Sequence, residues 1–400
     1  MRALWVLCLC CAVLSAAREA YAQVDGHVSV LFDVLPDVSD AQGQQDVAEL
    51  RTRLFAERQD DIGEHWRLRL SGYVDGLVAD RANEAIVRPM DLYAEYRAAR
   101  FDLRAGYSRI VWGRLDEFQP TDVVNPIDLT RFLLEGRSEA RLPIAMVRGR
   151  LFLSDAATLE GIVAPVFRAS TFDQLDEPTS PFNLVPPVAR TRREPAATSS
   201  NVQGGARLTS TAGRVDYAVS AYRGFRTFPV LELAALGVDE QYPRFTMLGA
   251  DFETARGVWG FRGEAALFVD DRLQLPTVPR SVDGHSVEAG VGADRRAGDY
   301  RVAANLLISS RQGGDEIDDT DVSVVASVDR NFARDTRRIR VFTVYDPADD
   351  TVFARVIAAF SLRDNVWLEG SGGLFAGSST DTIGRLTRRD FVYARLKVFF

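Results

Sequence analysis

Lysine is all but missing from this 400-residue chain: of 48 basic residues, only Lys397 is not an arginine. Arginine keeps its charge when desolvated and can bridge two carboxylates, so these cations can stand where lysine would lose its proton. The formal net charge is −8, which excludes the domain-wide basic field of a nucleic-acid binder. Cysteine is confined to Cys8, Cys10 and Cys11. Past them, nothing supplies a disulfide or a thiolate ligand. Histidine occurs three times, as His27, His65 and His285, with no Ser/Asp constellation that sequence can connect to it. G-x-S-x-G, H-E-x-x-H and Gly-rich phosphate-loop patterns are lacking too. No enzyme activity, cofactor or metal site is therefore expected. Beyond residue 22 no apolar run approaches the ~18 residues of a membrane-spanning helix.

What is present begins with an export signal, residues 1–22. Arg2 supplies the positive start, Ala3–Ala17 the short apolar stretch, and Ala20-Tyr21-Ala22 a small-x-small cleavage site before Gln23. All three cysteines would leave with it. Residues 23–400 then read as a single domain, without repeats, low-complexity tracts or a shift in composition.

That domain is a series of about eighteen stretches in which apolar residues recur at every second position, the period of a strand. They run from Gly26–Leu35, Val47–Glu57 and His65–Val78 through Asp91–Ala98 and Phe101–Ser108 to Asn365–Leu374 and Phe391–Phe400. Each is near the ~9–11 residues of a tilted membrane strand. Their connections alternate between short turns, such as Ala99-Arg100 and Arg363-Asp364, and long loops at 109–143, 168–201, 223–243 and 269–284. Short turns at one rim and long loops at the other are the mark of an outer-membrane barrel. The predicted fold is all-β: one closed antiparallel transmembrane barrel of about eighteen strands (16–18), both termini periplasmic.

The last stretch sets Val392, Ala394, Leu396, Val398 and Phe400 on one face, and Phe391, Tyr393, Arg395, Lys397 and Phe399 on the other. It resembles the C-terminal strand of bacterial outer-membrane β-barrels, whose final aromatic is read by the barrel-insertion machinery. The resemblance implies that Phe400 is such an insertion signal, with outer-membrane lipid and lipopolysaccharide as the barrel's surroundings and a Gram-negative outer membrane as its place.

The same alternation sorts the charges. Arg51, Arg53, Arg67, Arg69, Arg97, Arg104, Arg148 and Arg150 share a face with Glu95, Asp102 and other carboxylates, opposite Val, Leu, Ala, Ile and aromatics. A charged interior must be paired or wet. Either it is a water-filled, arginine-lined passage for anionic or polyhydroxyl solutes, or the charges pair off and only prop the wall apart. One hairpin tests the assignment: a two-residue turn at Ala99-Arg100 sets Glu95 against Arg104 and Arg97 against Asp102 toward the lumen. Tyr96 then faces Leu103 on the lipid side.

The loop at 109–143 has its own turn chemistry, with Pro120-Thr-Asp122 and Asn125-Pro-Ile-Asp128 as successive Asx/Pro turns. Asp128 could cap a helical turn over Leu129–Glu135. The segment from Trp112-Gly-Arg-Leu-Asp116 to Asn125-Pro-Ile-Asp128 is similar to one in a family of poorly characterised proteobacterial outer-membrane barrel proteins, over about residues 101–150. Members are porin-like or suspected of helping lipid or hydrophobic-solute export. The expected constriction set is Trp112 and Phe118 as walls, with Arg114, Asp116, Asp122, Asn125, Asp128 and Arg131 as polar contacts. Two functions follow: an outer-membrane channel for small polar or anionic solutes, or a non-conducting barrel serving envelope assembly or lipid export.

Overall fold

Alternation with one apolar face forces every strand to choose the same inside. The result is a sheet that closes on itself. A computed structural model of the protein describes residues 24–35, 47–79, 83–129, 140–171, 189–276, 278–377, 383–387 and 389–400. The expected export signal and Arg131 lie outside the described residues, as does all of the expected helical turn except Leu129.

The strands are β1 (Val24–Leu35), β2 (Val47–Ile62), β3 (Trp66–Ala79), β4 (Asn83–Arg97), β5 (Phe101–Ser108), β6 (Ile144–Ser154) and β7 (Ala157–Ala164). They continue as β8 (Arg190–Arg193), β9 (Gln203–Ala212), β10 (Val215–Phe225), β11 (Val230–Ala234), β12 (Gly237–Gln241), β13 (Arg244–Arg256) and β14 (Trp259–Gln274). The last are β15 (Ser281–Ala297), β16 (Tyr300–Gly313), β17 (Ile317–Phe332), β18 (Arg337–Asp346), β19 (Thr351–Arg363), β20 (Val366–Ala376) and β21 (Phe391–Phe399). All but β8, β11 and β12 form one 18-stranded antiparallel sheet in which each strand pairs with the next. β21 returns to β1, from His27 opposite Phe399 to Val34 opposite Val392, and closes the barrel. Gly26 and Phe400 complete the seam by exchanging two backbone hydrogen bonds of 3.0 Å.

The Ala99-Arg100 hairpin has the expected register: Glu95 opposite Arg104, Arg97 opposite Asp102, and Tyr96 opposite Leu103. Glu95 is fully buried and Leu103 exposed. The same sorting runs round the wall, with Val74, Val147, Val163, Val219, Val291, Leu306 and Val356 bare on the outside. Trp66, Phe101, Trp259, Phe261, Tyr300 and Phe360 are exposed on the outer face near the short-turn rim, an interfacial aromatic girdle. Gly213 and Gly257 take φ of 64° and 65° in two of those turns, a conformation that tight hairpins need and side chains resist.

Several strands outrun the sequence reading. β15 has 17 residues and β2, β14 and β17 have 16 each, more than a bilayer requires, so the wall extends beyond the membrane. The expected loop at 269–284 is mostly strand. A bulge between Phe268 and Asp271, with Asp270 at φ 55°, interrupts the two-residue period there without ending the pairing of β14 with β15. Pro89 sits at a second bulge, where β4 passes Gly72 of β3. The acidic stretch Asp315–Asp321 is a tight turn followed by the start of β17, and Glu316 is paired with Arg280. At the long-loop rim, within the expected loops 168–201 and 223–243, β11 and β12 form a hairpin with β8 alongside in parallel, a small sheet of its own.

Candidate functional site

The described part of the connection from β5 to β6, residues 109–129, does not stand up from the rim. It turns inward and crosses the barrel. Asn125 pins its two ends: its side-chain amide donates to the carbonyls of Ser108 (3.2 Å) and Leu142 (2.8 Å), and its Oδ1 accepts the Ile110 N–H at 2.9 Å. Asp122 accepts the Trp112 N–H at 3.3 Å and pairs with Arg141, both carboxylate and guanidinium being buried. Asp128 pairs with Arg88 of β4 at 2.6 Å. These three side chains, expected as polar contacts of a constriction, are buried and hold the loop in place. Asp128 thus binds an arginine of the barrel wall.

Trp112 is also an anchor. It is 1% exposed, buried edge-on against Tyr222 of β10, with its indole N–H on Glu160 of β7 at 2.8 Å. The Asx/Pro turns bury it with Ile110 and Val124 against Met146, Ile162, Phe245, Met247 and Phe268 of the inner wall. A side chain so buried presents almost no surface to a solute.

Beyond Trp112 the loop reaches the far side. The Arg114 guanidinium donates to Asp251 of β13 at 2.7 Å and to Glu253 at 3.2 Å. Asp116 takes Arg262 of β14 at 3.2 Å and Arg301 of β16 at 2.9 Å, and Glu117 pairs with Arg340 of β18. Asp251 also holds Arg207 at 2.8 Å, while Asp294 accepts both Arg262 and Arg301 at 3.2 Å. With Arg262 also reaching Glu253 at 3.1 Å, all but the Glu117–Arg340 pair form one continuous network of alternating sign. Beneath it Glu264 accepts the backbone N–H groups of Arg114 (2.8 Å) and Thr121 (2.7 Å), and the Thr121 hydroxyl at 2.8 Å. The loop's backbone is thereby tied to the barrel wall as firmly as its side chains.

The wall is shaped for this seat. A side-chain carbon built at Gly290 of β15 would lie 2.6 Å from Leu115, one at Gly249 of β13 2.6 Å from Thr121, and one at Gly205 of β9 3.0 Å from Trp112. Inward-facing glycine is the signal that alternation alone could not interpret, because it reads as a weak spot in a strand.

On the rest of the wall the arginines meet carboxylates as well. Arg53 holds Asp75 at 2.8 Å, Arg51 holds Glu49 at 2.9 Å, and Arg67 holds Asp61 at 2.6 Å. Arg69 reaches Glu57 at 2.7 Å. Glu95 accepts from both Arg97 (2.6 Å) and Arg104 (2.8 Å), Arg148 reaches Glu160 at 2.7 Å, and Arg150 pairs with Asp102. A second apolar patch lies inside the barrel toward the long-loop rim, where Leu31, Leu35, Phe353, Phe375, Phe391 and Tyr393 cluster under Ile383 and Leu386 of the β20–β21 connection.

Of the expected constriction set, Arg114, Asp116 and Phe118 reach across the barrel with the loop. Phe118 stays 38% exposed beside Gln119 and Pro120, with Glu288, Leu307, Ser309, Asp321, Ser323 and Val344 opposite, around a cavity of about 280 Å³.

Comparison with solved structures finds folds similar to this one. A BenF-like porin from Pseudomonas fluorescens Pf-5 superposes with a TM-score of 0.54 at 8% identity, over 95% of this chain and 99% of that one. OmpT, an outer membrane protein of Vibrio cholerae in its trimer form, gives 0.47 at 11% identity over 94% and 98%. A mutant of the Rh. blastica porin gives 0.42 at 10% identity over 94% and 99%. At such identities the likeness to the BenF-like porin speaks for the fold alone. No curated protein matches the sequence. A family model described as Protein of unknown function (DUF1302) matches residues 69–323.

Proposed function

The chain belongs to that family, DUF1302, and we propose that it is a porin-like channel of the Gram-negative outer membrane, passing small polar or anionic solutes through an arginine-lined lumen narrowed by the 109–143 loop. The observation that carries this reading is the loop itself. Arg114, Asp116 and Glu117 tie it to β13, β14, β16 and β18, across the inside of an 18-stranded barrel. Barrels of this size leave an aqueous channel, and a loop held inside one sets its bore. The paired arginines weaken any net anionic preference, because each positive field is cancelled nearby. Selection then falls on size and on local contacts at the loop. The proposal includes lipid and lipopolysaccharide around the outer face, and barrel-insertion machinery acting on the strand that ends in Phe400.

A second reading, a non-conducting barrel for envelope assembly or lipid export, draws on the apolar cluster of Leu35, Phe353, Phe375 and Phe391 under Ile383 and Leu386. That cluster fills part of the lumen toward the long-loop rim. Reconstitution of the refolded protein in a planar bilayer separates the two. Stable conductance steps support the channel, and their reversal potential in a salt gradient reads how much anion preference the pairing leaves. A folded but silent barrel supports the second reading and rejects the first.

A further inference from the structure

The arginines that line the inside of the barrel next to the loop each meet a carboxylate. A second set stands on the outside and meets none. Arg295 of β15 lies opposite Trp259 of β14 in register, with its guanidinium 5.4 Å from the ring centre. Arg330 of β17 lies opposite Tyr300 of β16, 4.8 Å from that ring and 5.2 Å from Phe332 on its own strand. Arg337 of β18 continues the row, in register with Phe332 on one side and Phe360 of β19 on the other. Cross-strand partners share a face, so these arginines belong to the aromatic girdle at the short-turn rim. Among the described residues, no carboxylate pairs with any of the three.

The neighbouring carboxylates are engaged elsewhere. Asp294 and Asp329 are on the inner face, where they meet Arg301 and Arg340. Asp299 and Asp335, in the β15–β16 and β17–β18 turns, line a cavity with the inward-facing Arg301. The contrast with Arg58 is direct. It stands on the outer face of β2 near the same rim, and Asp60 neutralises it at 2.7 Å.

A guanidinium lying against a ring uses its flat face and leaves its N–H donors uncommitted. Toward the middle of the wall this face is apolar, with Val302 and Val328 opposite each other and both exposed. The cations therefore stand where an apolar band ends, at the depth of lipid headgroups. Arginine's fork matches the oxygens of a phosphate. The backbones of Arg295 and Arg330 are two strand spacings apart, about 10 Å, so two long side chains can converge on one phosphate over Tyr300.

We infer that the outer face of β14–β18 at the short-turn rim is a binding site for an anionic phospholipid of the periplasmic leaflet. Its phosphate is held between Arg295 and Arg330, and its acyl chains lie along Val302 and Val328. This deepens the outer-membrane reading, naming the lipid class and the place, and rests on it.

The test is native mass spectrometry of the refolded full chain in detergent, titrated with phosphatidylglycerol or with phosphatidylcholine. The first phosphatidylglycerol should bind about fivefold more tightly than phosphatidylcholine. Arg295→Gln with Arg330→Gln should bring that ratio close to one, whereas Arg58→Gln, which removes an already paired charge, should leave it unchanged. Heat-modifiable migration on a denaturing gel reports that each variant is folded. If the double variant fails to fold, the two single variants decide, each lowering the ratio. Equal binding of the two lipids by wild type overturns the inference. So does an unchanged ratio in a folded Arg295/Arg330 variant, or a loss in Arg58→Gln as large as in the double variant. Location is read separately by membrane fractionation. A chain missing from the outer-membrane fraction rejects the outer-membrane reading and this inference with it. A chain found there without a phosphatidylglycerol preference rejects this inference alone.

Discussion

Glu95 and Arg104 face each other across β4 and β5, with Arg104 Nη2 donating to Glu95 Oε1 at 2.8 Å and the carboxylate fully buried. Arg97 donates to the other oxygen at 2.6 Å, so two guanidinium groups depend on one carboxylate. Glu95→Leu strips both of their acceptor and should cost about 3–5 kcal/mol. Glu95→Gln keeps the shape and loses the charge, at about 1–3 kcal/mol. Urea unfolding of the refolded barrel reads both. A Leu variant as stable as wild type would mean the pair contributes nothing to the wall.

On the opposite face the cost has another origin. Val291 is bare on the outside of β15, opposite Leu306 of β16. Val291→Arg places a guanidinium toward hydrocarbon, where near the bilayer midplane it costs about 2–4 kcal/mol. The variant should unfold at lower denaturant in lipid vesicles. An unchanged midpoint would mean this face is not lipid-facing.

Asn125 joins the two ends of the inward loop. Asn125→Ala leaves the Ile110 N–H and the Ser108 and Leu142 carbonyls without it, a loss of about 1–3 kcal/mol for buried backbone groups left unpaired. Trypsin on the folded barrel is the probe, since Arg114 is shielded in its ion pairs in wild type. The expected result is cleavage after Arg114 in the variant alone. Gly290→Leu, built into the space of Leu115, should unseat the loop in the same way.

Phe400 closes the seam through its two bonds to Gly26, and its ring lies 2.7 Å from where a Gly26 side chain would begin. Deleting Phe400 should lower outer-membrane levels and refolding yield far more than a one-residue deletion in the β11–β12 hairpin. Normal levels of the deletion variant would count against the seam and the insertion signal together.

Much of the wall was legible because alternation leaves little freedom. Leu103 and Tyr107 can meet lipid only if Asp102 and Arg104 turn inward, and a one-residue slip reverses all of them. The turn at Ala99-Arg100 then fixes the register. Other features were hidden for equally physical reasons. The bulge at Asp270 broke the period and disguised the end of β14 as loop. The pairing of Arg114 with Asp251 spans 137 residues, and nothing local to either residue announces it. Trp112 carried a motif that pointed to the right loop, but its role as a buried anchor depends on Tyr222, Glu160 and Gly205, which come together only when the barrel closes. The arginines were visible, while their neutralisation required the register of every neighbouring strand.

We propose that residues 109–129 lie inside a conducting lumen, with Phe118 exposed there. All native cysteines fall in residues 1–22, so Phe118→Cys gives residues 23–400 a single thiol. Conductance of that variant in a planar bilayer is recorded before and after a charged methanethiosulfonate reagent is added. A stepwise fall in conductance, absent in wild type, is the predicted result. Stable conductance that the reagent leaves unchanged, with the thiol shown by mass to have reacted, would contradict the account.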